Sequence, residues 1–314
     1  VTGSAGFIGF HVSQILLEKG YNVYGVDNYS KYYDVNLKKK RTSKLKKYKN
    51  FFFNKFDLKD EKKVKNFVKN KNFEVVVHMA AQPGVRLSFI NRKTYFDNNI
   101  KVFFNMVEIC LSSKIKHFIY ASSSSVYGET KKFPNKESDN TDNQVSFYAA
   151  TKKCNEIIAS CYSQMTETKF TGLRFFTVYG PLGRPDMALY KFTKNLYSSK
   201  KISIYNNGNH SRDFTYIEDV SNLILKIVEK KLTSFNKHNI FNICFGKTVS
   251  LAKYINLIEK FTGLIFLKKF VNKQSGDVTK TFGDNKKILN FLKYKIKFKV
   301  DDGVKKFIHW FDGY

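Results

Sequence analysis

The sequence predicts a doubly wound α/β fold, in which helices cover both faces of a parallel sheet and a smaller mixed α/β lobe follows. The first observation is that short apolar runs, typical of buried strands, alternate with amphipathic segments through the first half of the chain. The second is that polar or very small residues follow directly after these runs. The third is a glycine cluster at the beginning of the chain. Ligands in such sheets bind at the carboxyl ends of the strands.

The opening stretch, VTGSAGFIG, places Gly3, Gly6 and Gly9 at three-residue intervals. Glycine lets the backbone approach a ligand closely, and a helix N-terminus attracts anions such as a diphosphate. A tight turn that packs a helix on a strand would use the same glycines, so the motif alone leaves both interpretations open. The stretch has no initiating methionine, and we expect Val1 and Thr2 to end a first strand in the middle of the sheet, preceded by a few more residues.

The segments that follow complete a β-α-β unit. Apolar residues recur at helical spacing from Ile8 to Leu16, Gly20 is a stop signal, and the run YNVYGVD is a strand that ends in Asp27. The interval from Gly9 to Asp27 is close to the roughly 20 residues between a dinucleotide-binding glycine motif and the acid that binds the adenosine ribose. Asp27 would accept hydrogen bonds from a 2′-hydroxyl and repel a 2′-phosphate, and no Arg is its sequence neighbour. The predicted cofactor is therefore NAD rather than NADP.

Four further strands are predicted from the runs FFFNKFD, FEVVVHMAA, KHFIYASSSS and KFTGLRFF. Polar or small residues end or directly follow three of these runs, namely Asp57, residues 80–82 and the serines 122–125. Because the carboxyl ends of parallel strands meet at one edge of the sheet, we expect these residues to surround one ligand site.

The chain has 314 residues, 42% of them hydrophobic, and can bury a large core. We predict a first lobe over 1–175, with returning segments near 213–245, and a substrate lobe over 176–314.

No apolar run approaches the roughly 18 to 20 residues of a membrane span and no signal peptide is evident, which favours a cytoplasmic protein. The cysteines lack paired spacing, so we expect no metal site and four free thiols, Cys110, Cys154, Cys161 and Cys244.

The formal net charge of +29 raises the question of nucleic-acid binding. The 55 basic residues comprise 49 Lys and 6 Arg, and the lysines are scattered in a way that an AT-rich coding sequence would produce. We therefore expect no nucleic-acid partner. The scarce arginines are more informative, because their planar fork binds carboxylates and phosphates in a bidentate way. Four of them lie in the motifs considered below: Arg86, Arg174, Arg184 and Arg212.

A candidate catalytic set is Ser123, Tyr148 and Lys152. The pattern Tyr-x-x-x-Lys occurs four times, but only Tyr148 begins a predicted helix that follows the hydroxyl-rich end of a strand, YASSSSVYG. These groups could move a proton while a hydride moves to a nicotinamide. A phenol titrates near pH 10, so we expect positive charge on Lys152 and on the oxidised nicotinamide to lower the pKa of Tyr148. Ser123 would orient the substrate hydroxyl.

Several motifs follow one another along essentially the whole chain: VTGSAGFIG, VDNYSKYYDVNLK, HMAAQPGVRLS, YFDNNI, YASSSSVYG, YAATKKCNE, LRFFTVYGPLGRPDMA, SRDFTYIEDV and GDVTKTFGD. Together they resemble the NAD-dependent nucleotide-sugar epimerases of the extended short-chain dehydrogenase/reductase superfamily, the UDP-glucuronate 4-epimerases in particular. The resemblance implies an NAD-binding Rossmann lobe, a smaller lobe for a UDP-sugar, a homodimer and a role in polysaccharide biosynthesis. It also implies oxidation at C4 of the sugar, with Tyr148 taking the proton and NAD the hydride, which then returns to the other face.

The resemblance implies roles for individual residues as well. NAD contacts would be Gly3, Gly6, Phe7, Ile8, Gly9, Asp27, Asn28, Asp57, Leu58, Ala80, Ala81, Gln82, Asn99, Tyr148 and Lys152. Substrate contacts would be Arg86, Ser124, Ser125, Thr177, Arg184, Arg212 and Asp277, with Arg212 on the UDP phosphates. A sugar carboxylate in a partly dry pocket needs a partner, for which we expect Arg184, with Ser124 and Ser125 as neutral donors.

Related activities remain as alternatives. Sugar 4,6-dehydratases resemble this chain but have an Asp-Glu pair where Ser124 and Ser125 stand, and UDP-glucuronate decarboxylases typically have Glu at the position of Ser125. A UDP-glucose/UDP-galactose (or N-acetyl) 4-epimerase remains the main alternative, because its chemistry is the same and only the sugar substituents differ. Alternatives from other classes are an NAD-binding regulator without activity and a basic nucleic-acid binder.

Overall fold

The computed structural model describes residues 1–69, 71–272 and 278–314. The strands are β1 (Val23–Asp27), β2 (Phe51–Lys55), β3 (Val75–His78), β4 (His117–Ser123), β5 (Lys169–Phe175), β6 (Thr177–Tyr179), β7 (Ile202–Tyr205), β8 (Ser211–Arg212), β9 (Phe214–Tyr216), β10 (His238–Ile243), β11 (Val249–Ser250) and β12 (Lys268–Val271). The helices are α1 (Phe7–Glu18), α2 (Val35–Leu45), α3 (Glu61–Lys69), α4 (Arg92–Tyr95), α5 (Val102–Ser112), α6 (Phe147–Met165), α7 (Ala188–Tyr197), α8 (Ile217–Glu229), α9 (Leu251–Thr262), α10 (Lys286–Leu292) and α11 (Val300–Asp312).

All strand pairs of the main sheet are parallel. β2 pairs with β1, and β3, β4, β5 and β10 are neighbours in that order. Thr2 joins these two groups, because it bridges Val26 of β1 on one side and His78 of β3 on the other. The order is therefore β2, β1, Thr2, β3, β4, β5, β10. It confirms the doubly wound parallel fold and the predicted position of Thr2 in the middle of the sheet.

Helices cover both faces of this sheet. On one face α1 packs against α2 and α8, and on the other α5 packs against α3 and α6. Each face has its own buried apolar cluster, to which Phe10 and Ile224 belong on the first face and Phe103 and Ala159 on the second. Burial on both faces explains why these strands read as continuous apolar runs in the sequence.

The second half of the chain contributes to both lobes. In the smaller lobe β6 pairs with β9 and β7 with β12 in parallel, while β8 and β11 are antiparallel. The segment 217–243 returns to the main sheet, since α8 packs on α1 and β10 pairs with β5. The boundary of the two lobes at residue 175 stays a prediction.

No helix within the described ranges is both long enough and apolar enough to cross a lipid bilayer. The cysteines are all free thiols: Cys110 and Cys244 are buried, Cys154 is half-buried and Cys161 is exposed. In the part of the chain that the structure describes, no three His, Cys, Asp or Glu side chains gather where they could hold a metal ion.

Candidate active site

A cavity opens at the carboxyl ends of the main-sheet strands and of β6. Of the residues predicted to contact the cofactor, all except Asn99 line it, as does Ser123. They come from the turn before α1 and from the loops after β1, β2, β3 and β4, together with the start of α6. The sheet thus brings together residues that are up to 149 positions apart, from Gly3 to Lys152.

The glycine turn forms one wall of this cavity. Gly3 has a φ of +67°, and a Cβ on it would lie 2.8 Å from the Ala80 nitrogen. A Cβ on Gly9 would lie 2.1 Å from the Gly3 oxygen, so Gly9 is required by the packing of α1 on the turn. Gly6, Phe7 and Ile8 line the cavity where α1 begins, and no side chain caps the helix there. The two interpretations of the motif therefore coexist: the glycines shape a tight turn, and that turn leaves a helix N-terminus beside the cavity.

Asp27 lies at the end of β1 with its carboxylate held by backbone N–H groups. Its Oδ1 accepts from Tyr29 at 2.8 Å and its Oδ2 from Ala5 at 3.1 Å. Asn28 beside it donates to Asp57 at 3.1 Å, which links the ends of β1 and β2. A glycine cradle without room for side chains and an acid at this strand end fit a dinucleotide with a free ribose diol.

Two cations near Asp27 were not singled out by the sequence analysis. Arg41 is fully buried, and its guanidinium donates to the backbone oxygens of Ala5, Leu182 and Gly183. It therefore ties the glycine turn to the loop after β6. Lys38 lines the cavity and donates to the Ser30 oxygen at 2.8 Å, and burial lowers its pKa. In the sequence both lie in a lysine-rich run that resembles a solvated helix face.

Tyr148 and Lys152 face the cavity from the first turns of α6, whose N-cap Ser146 accepts from Ala149 at 3.1 Å. Lys152 is 3% exposed and donates to the Ala121 oxygen at 2.8 Å. Burial lowers its pKa to about 8. The tyrosines of the other three Tyr-x-x-x-Lys pairs are absent from the described walls of this cavity.

Burial raises the pKa of Tyr148, and a hydrogen bond with Ser123 and the charge of Arg184 oppose this rise. Arg184, in the loop after β6, is a source of opposing charge that was not expected from the sequence. A corresponding effect of Lys152 on the pKa of Tyr148 stays a prediction.

Asn99 is buried beneath the cavity in a π-helical turn, Phe96–Lys101, between α4 and α5. Its side chain accepts from the Gln82 nitrogen at 2.7 Å and donates to the Gln82 oxygen at 3.1 Å. It also donates to Thr151, which in turn donates to the backbone oxygen of Tyr148. Asn99 therefore connects the loop after β3 to the helix that carries Tyr148.

A second cavity adjoins the first and extends into the smaller lobe. Four of the residues predicted to contact the substrate line it, namely Arg86, Thr177, Arg184 and Arg212. Tyr32, Arg184 and Met187 line both cavities and mark their junction. Of these, Tyr32 and Met187 were not predicted as site residues, although each lies in one of the motifs that carry the family resemblance. Asp277 lies outside the described residues.

The serine turn lies next to the first cavity. Ser122 and Ser123 are among its walls, whereas Ser124 and Ser125 are absent from the described walls of both cavities. Ser125 is one hydrogen bond away, because its hydroxyl accepts from the Ser123 hydroxyl at 3.1 Å and its nitrogen donates to the same oxygen at 3.1 Å. Contact of Ser124 and Ser125 with a substrate stays a prediction.

Arg174 lines neither described cavity, although the scarcity of arginine in this chain suggested a functional role for it. It forms a buried bidentate ion pair with Glu156 of α6, with Nε and Nη2 each 2.8 Å from a carboxylate oxygen. Ser122 donates to the same carboxylate at 2.6 Å. The pair therefore supports the strand end that carries Ser123.

We expect Arg174→Met to lower the free energy of unfolding by about 3–5 kcal/mol, because Glu156 would remain buried without its cation. Urea unfolding measures this quantity. The control Lys116→Met removes the cation of the exposed pair with Glu74, 2.5 Å long, and should cost less than about 1 kcal/mol. Equal losses of unfolding free energy in the two variants would contradict the assignment of Arg174 and Glu156 as a buried structural pair.

A glycine turn at a helix N-terminus, an acid after β1, and a Ser, Tyr and Lys set at the edge of a doubly wound sheet define a dinucleotide-dependent enzyme of the Rossmann class. Residues 1–244 match the NAD dependent epimerase/dehydratase family. The chain belongs to this family.

Relatives agree with the predicted resemblance to UDP-glucuronate 4-epimerases. The chain is 37% identical over 327 residues to a probable UDP-glucuronate 4-epimerase of Rhizobium meliloti, covering 99% of this chain and 96% of that one. A solved UDP-glucuronic acid 4-epimerase of Bacillus cereus, in complex with UDP-glucuronic acid and NAD, superposes with a TM-score of 0.93 at 31% identity, covering 99% and 98% of the chains. A UDP-glucose 4-epimerase of Thermotoga maritima, with UDP-glucose, has a TM-score of 0.89 at 28% identity, covering 99% and 97%.

Proposed function

We propose that this chain is an NAD-dependent UDP-glucuronate 4-epimerase of the cytoplasm. The observation that carries the proposal is the junction of the two cavities, where Arg184 lines the same cavity as Tyr148 and also lines the cavity of the smaller lobe. A sugar whose C4 hydroxyl lies at Tyr148 would thus have a guanidinium within reach of a C6 carboxylate. The two relatives named for UDP-glucuronate support this choice, and the free cysteines fit a reducing compartment.

The residues of the first cavity fit NAD, which Gly3, Gly6, Gly9 and Asp27 would hold. When bound, NAD supplies the hydride acceptor, and later the hydride donor, for C4 of the sugar. Tyr148 accepts the proton of the C4 hydroxyl and returns it after the sugar has turned in the pocket. Ser123 would hydrogen-bond the reacting hydroxyl, and Lys152 would contribute positive charge from the wall of the first cavity.

The serine turn distinguishes this reaction from those of related enzymes. A 4,6-dehydratase needs acidic groups to eliminate water, and here the corresponding positions are Ser124 and Ser125. We propose that these serines donate hydrogen bonds to the sugar carboxylate, that Arg212 binds the UDP phosphates, and that Arg86 and Thr177 contact the substrate. Each of the last three lines the second cavity.

The direct test is to incubate the purified protein separately with UDP-glucuronate, UDP-glucose and UDP-N-acetylglucosamine and to identify the products. We expect UDP-galacturonate from the first substrate at the highest kcat/KM. A higher kcat/KM for UDP-glucose would favour the alternative 4-epimerase, and no turnover of any of the three would favour a regulator without activity.

Asp27→Ala should weaken NAD binding by about 1.5–3 kcal/mol, because the ribose diol loses a charged hydrogen-bond acceptor. Titration of the cofactor-free protein with NAD measures this change. The control Asp139→Ala removes an acid that caps an exposed turn outside both described cavities and should leave NAD binding unchanged. Denaturing the wild-type protein should release NAD. Release of NADP instead would contradict the role of Asp27.

We also propose that two copies of the chain pair through α5 and α6. These helices pack together, and each exposes an apolar side chain, Phe104 at 44% and Ile157 at 58%. Pairing of these helices with a second copy would bury both side chains. Light scattering of the purified protein should give the mass of a dimer, and Ile157→Lys should shift it toward the monomer. A monomeric wild type would contradict the proposal.

A further inference from the structure

A carboxylate that the chemistry above does not use lies at the junction of the two cavities. Asp186, in the loop between β6 and α7, forms a bidentate pair with Arg184, with Oδ1 3.0 Å from Nε and Oδ2 2.5 Å from Nη2. Tyr32, from the loop after β1, donates to the same Oδ2 at 3.1 Å. The carboxylate of Asp186 is therefore held by one residue from each lobe, and all three side chains line the second cavity.

The pair with Asp186 occupies the edge of the guanidinium that binds carboxylates best, since Nε and one Nη present two parallel N–H groups. Both side chains are partly open to solvent, 21% exposed for Arg184 and 33% for Asp186. Because solvent reaches both partners, Asp186 can be hydrated when it leaves the guanidinium, so separating this pair costs less than separating a fully buried one. Another carboxylate of suitable geometry can therefore replace Asp186 on Arg184.

We propose that Asp186 is a specificity-determining residue, which competes with the substrate carboxylate for Arg184 and thereby limits the preference for an acidic over a neutral sugar. This inference rests on the proposed function. With a neutral sugar bound, Arg184 keeps its pair with Asp186 and its charge stays compensated. With a uronate bound, the sugar carboxylate takes the place of Asp186, which swings toward solvent.

Removing the competitor should change the affinities for the two kinds of sugar differently. In NAD-loaded Asp186→Asn protein, we expect the ratio of the Kd for UDP-glucose to the Kd for UDP-glucuronate to rise at least threefold. Calorimetric titration of the holoenzyme with each nucleotide sugar measures both constants without depending on turnover. A merely structural role of Asp186 would change both constants by the same factor.

Two further variants complete the test. Asp301→Asn makes the same charge change on α11, where Asp301 lies 3.9 Å from Lys253, and should leave the ratio unchanged. Arg184→Ala should raise the Kd for UDP-glucuronate at least tenfold. In that background Asp186→Asn should raise the ratio by less than it does in the wild type, because there is no longer an arginine to compete for.

The outcomes separate this inference from the proposed function. An unchanged or reduced ratio in Asp186→Asn would overturn the role of Asp186, as would an undiminished effect in the Arg184→Ala background, which would indicate simple charge repulsion. A wild-type protein that neither binds nor epimerises UDP-glucuronate would instead overturn the proposed function. Cofactor content and the thermal unfolding midpoint of each variant verify that the fold is intact.

Discussion

Tyr148→Phe should lower the rate of epimerisation by at least about 10²-fold while NAD remains bound, because positioned acid-base groups contribute about 10²- to 10⁴-fold. The substitution removes only the hydroxyl. The ring would keep its edge-on contact with Tyr95, at a centroid distance of 6.1 Å, and Lys152 would keep its hydrogen bond to Ala121. The substitution does not touch the glycine turn. The measurements are kcat on UDP-glucuronate and the NAD released when the protein is denatured.

The matched control is Tyr197→Phe, which removes the hydroxyl of another Tyr-x-x-x-Lys pair. Tyr197 donates to Asp312 on the surface, so loss of its hydroxyl should have no effect on the rate.

Because burial raises the pKa of Tyr148 and only the phenolate accepts a proton, the wild-type rate should rise with increasing pH, and the residual rate of Tyr148→Phe should not. A variant that keeps more than about a tenth of the wild-type rate would exclude Tyr148 as the base, and loss of NAD would make its role structural.

Gly9→Ala should abolish retention of NAD and lower the thermal unfolding midpoint. The added Cβ would lie 2.1 Å from the oxygen and 2.8 Å from the carbonyl carbon of Gly3. Backbone atoms cannot move aside as the end of a flexible side chain can, so either the turn or α1 has to shift. Because Gly3 itself lies against Ala80, the displacement would also reach the loop after β3, which lines the same cavity.

Gly313→Ala is the control, since a Cβ there would meet its nearest heavy atom, the Trp310 oxygen, only at 4.0 Å. It should match the wild type in both cofactor content and unfolding midpoint. Full NAD content in Gly9→Ala would mean that the turn tolerates a shift of this size, and the close packing of α1 would then not be required for cofactor binding.

The sequence by itself determined the architecture and the edge of the sheet where the site lies. Continuous apolar runs that alternate with amphipathic helices require a sheet buried on both faces, and the carboxyl ends of its parallel strands must meet. The glycine turn, Asp27 and the pair of Tyr148 and Lys152 could therefore be placed around one cavity before any contact was known. Position relative to a strand end, rather than the Tyr-x-x-x-Lys pattern, selected Tyr148 correctly for the cavity wall.

Only the tertiary structure decided which charges act on these groups. Tyr32 and Asp186, which share a hydrogen bond, are 154 positions apart, and Arg41 contacts Leu182 across 141 positions. Local periodicity carries no information on such contacts, because they depend on how the loop after β1 and helix α2 approach the loop after β6. Likewise the sequence does not show which ion pairs Arg174 and Arg184 form. Burial opposite Glu156 makes the first a structural ion pair, whereas partial exposure at the junction of two cavities leaves the second able to exchange its partner.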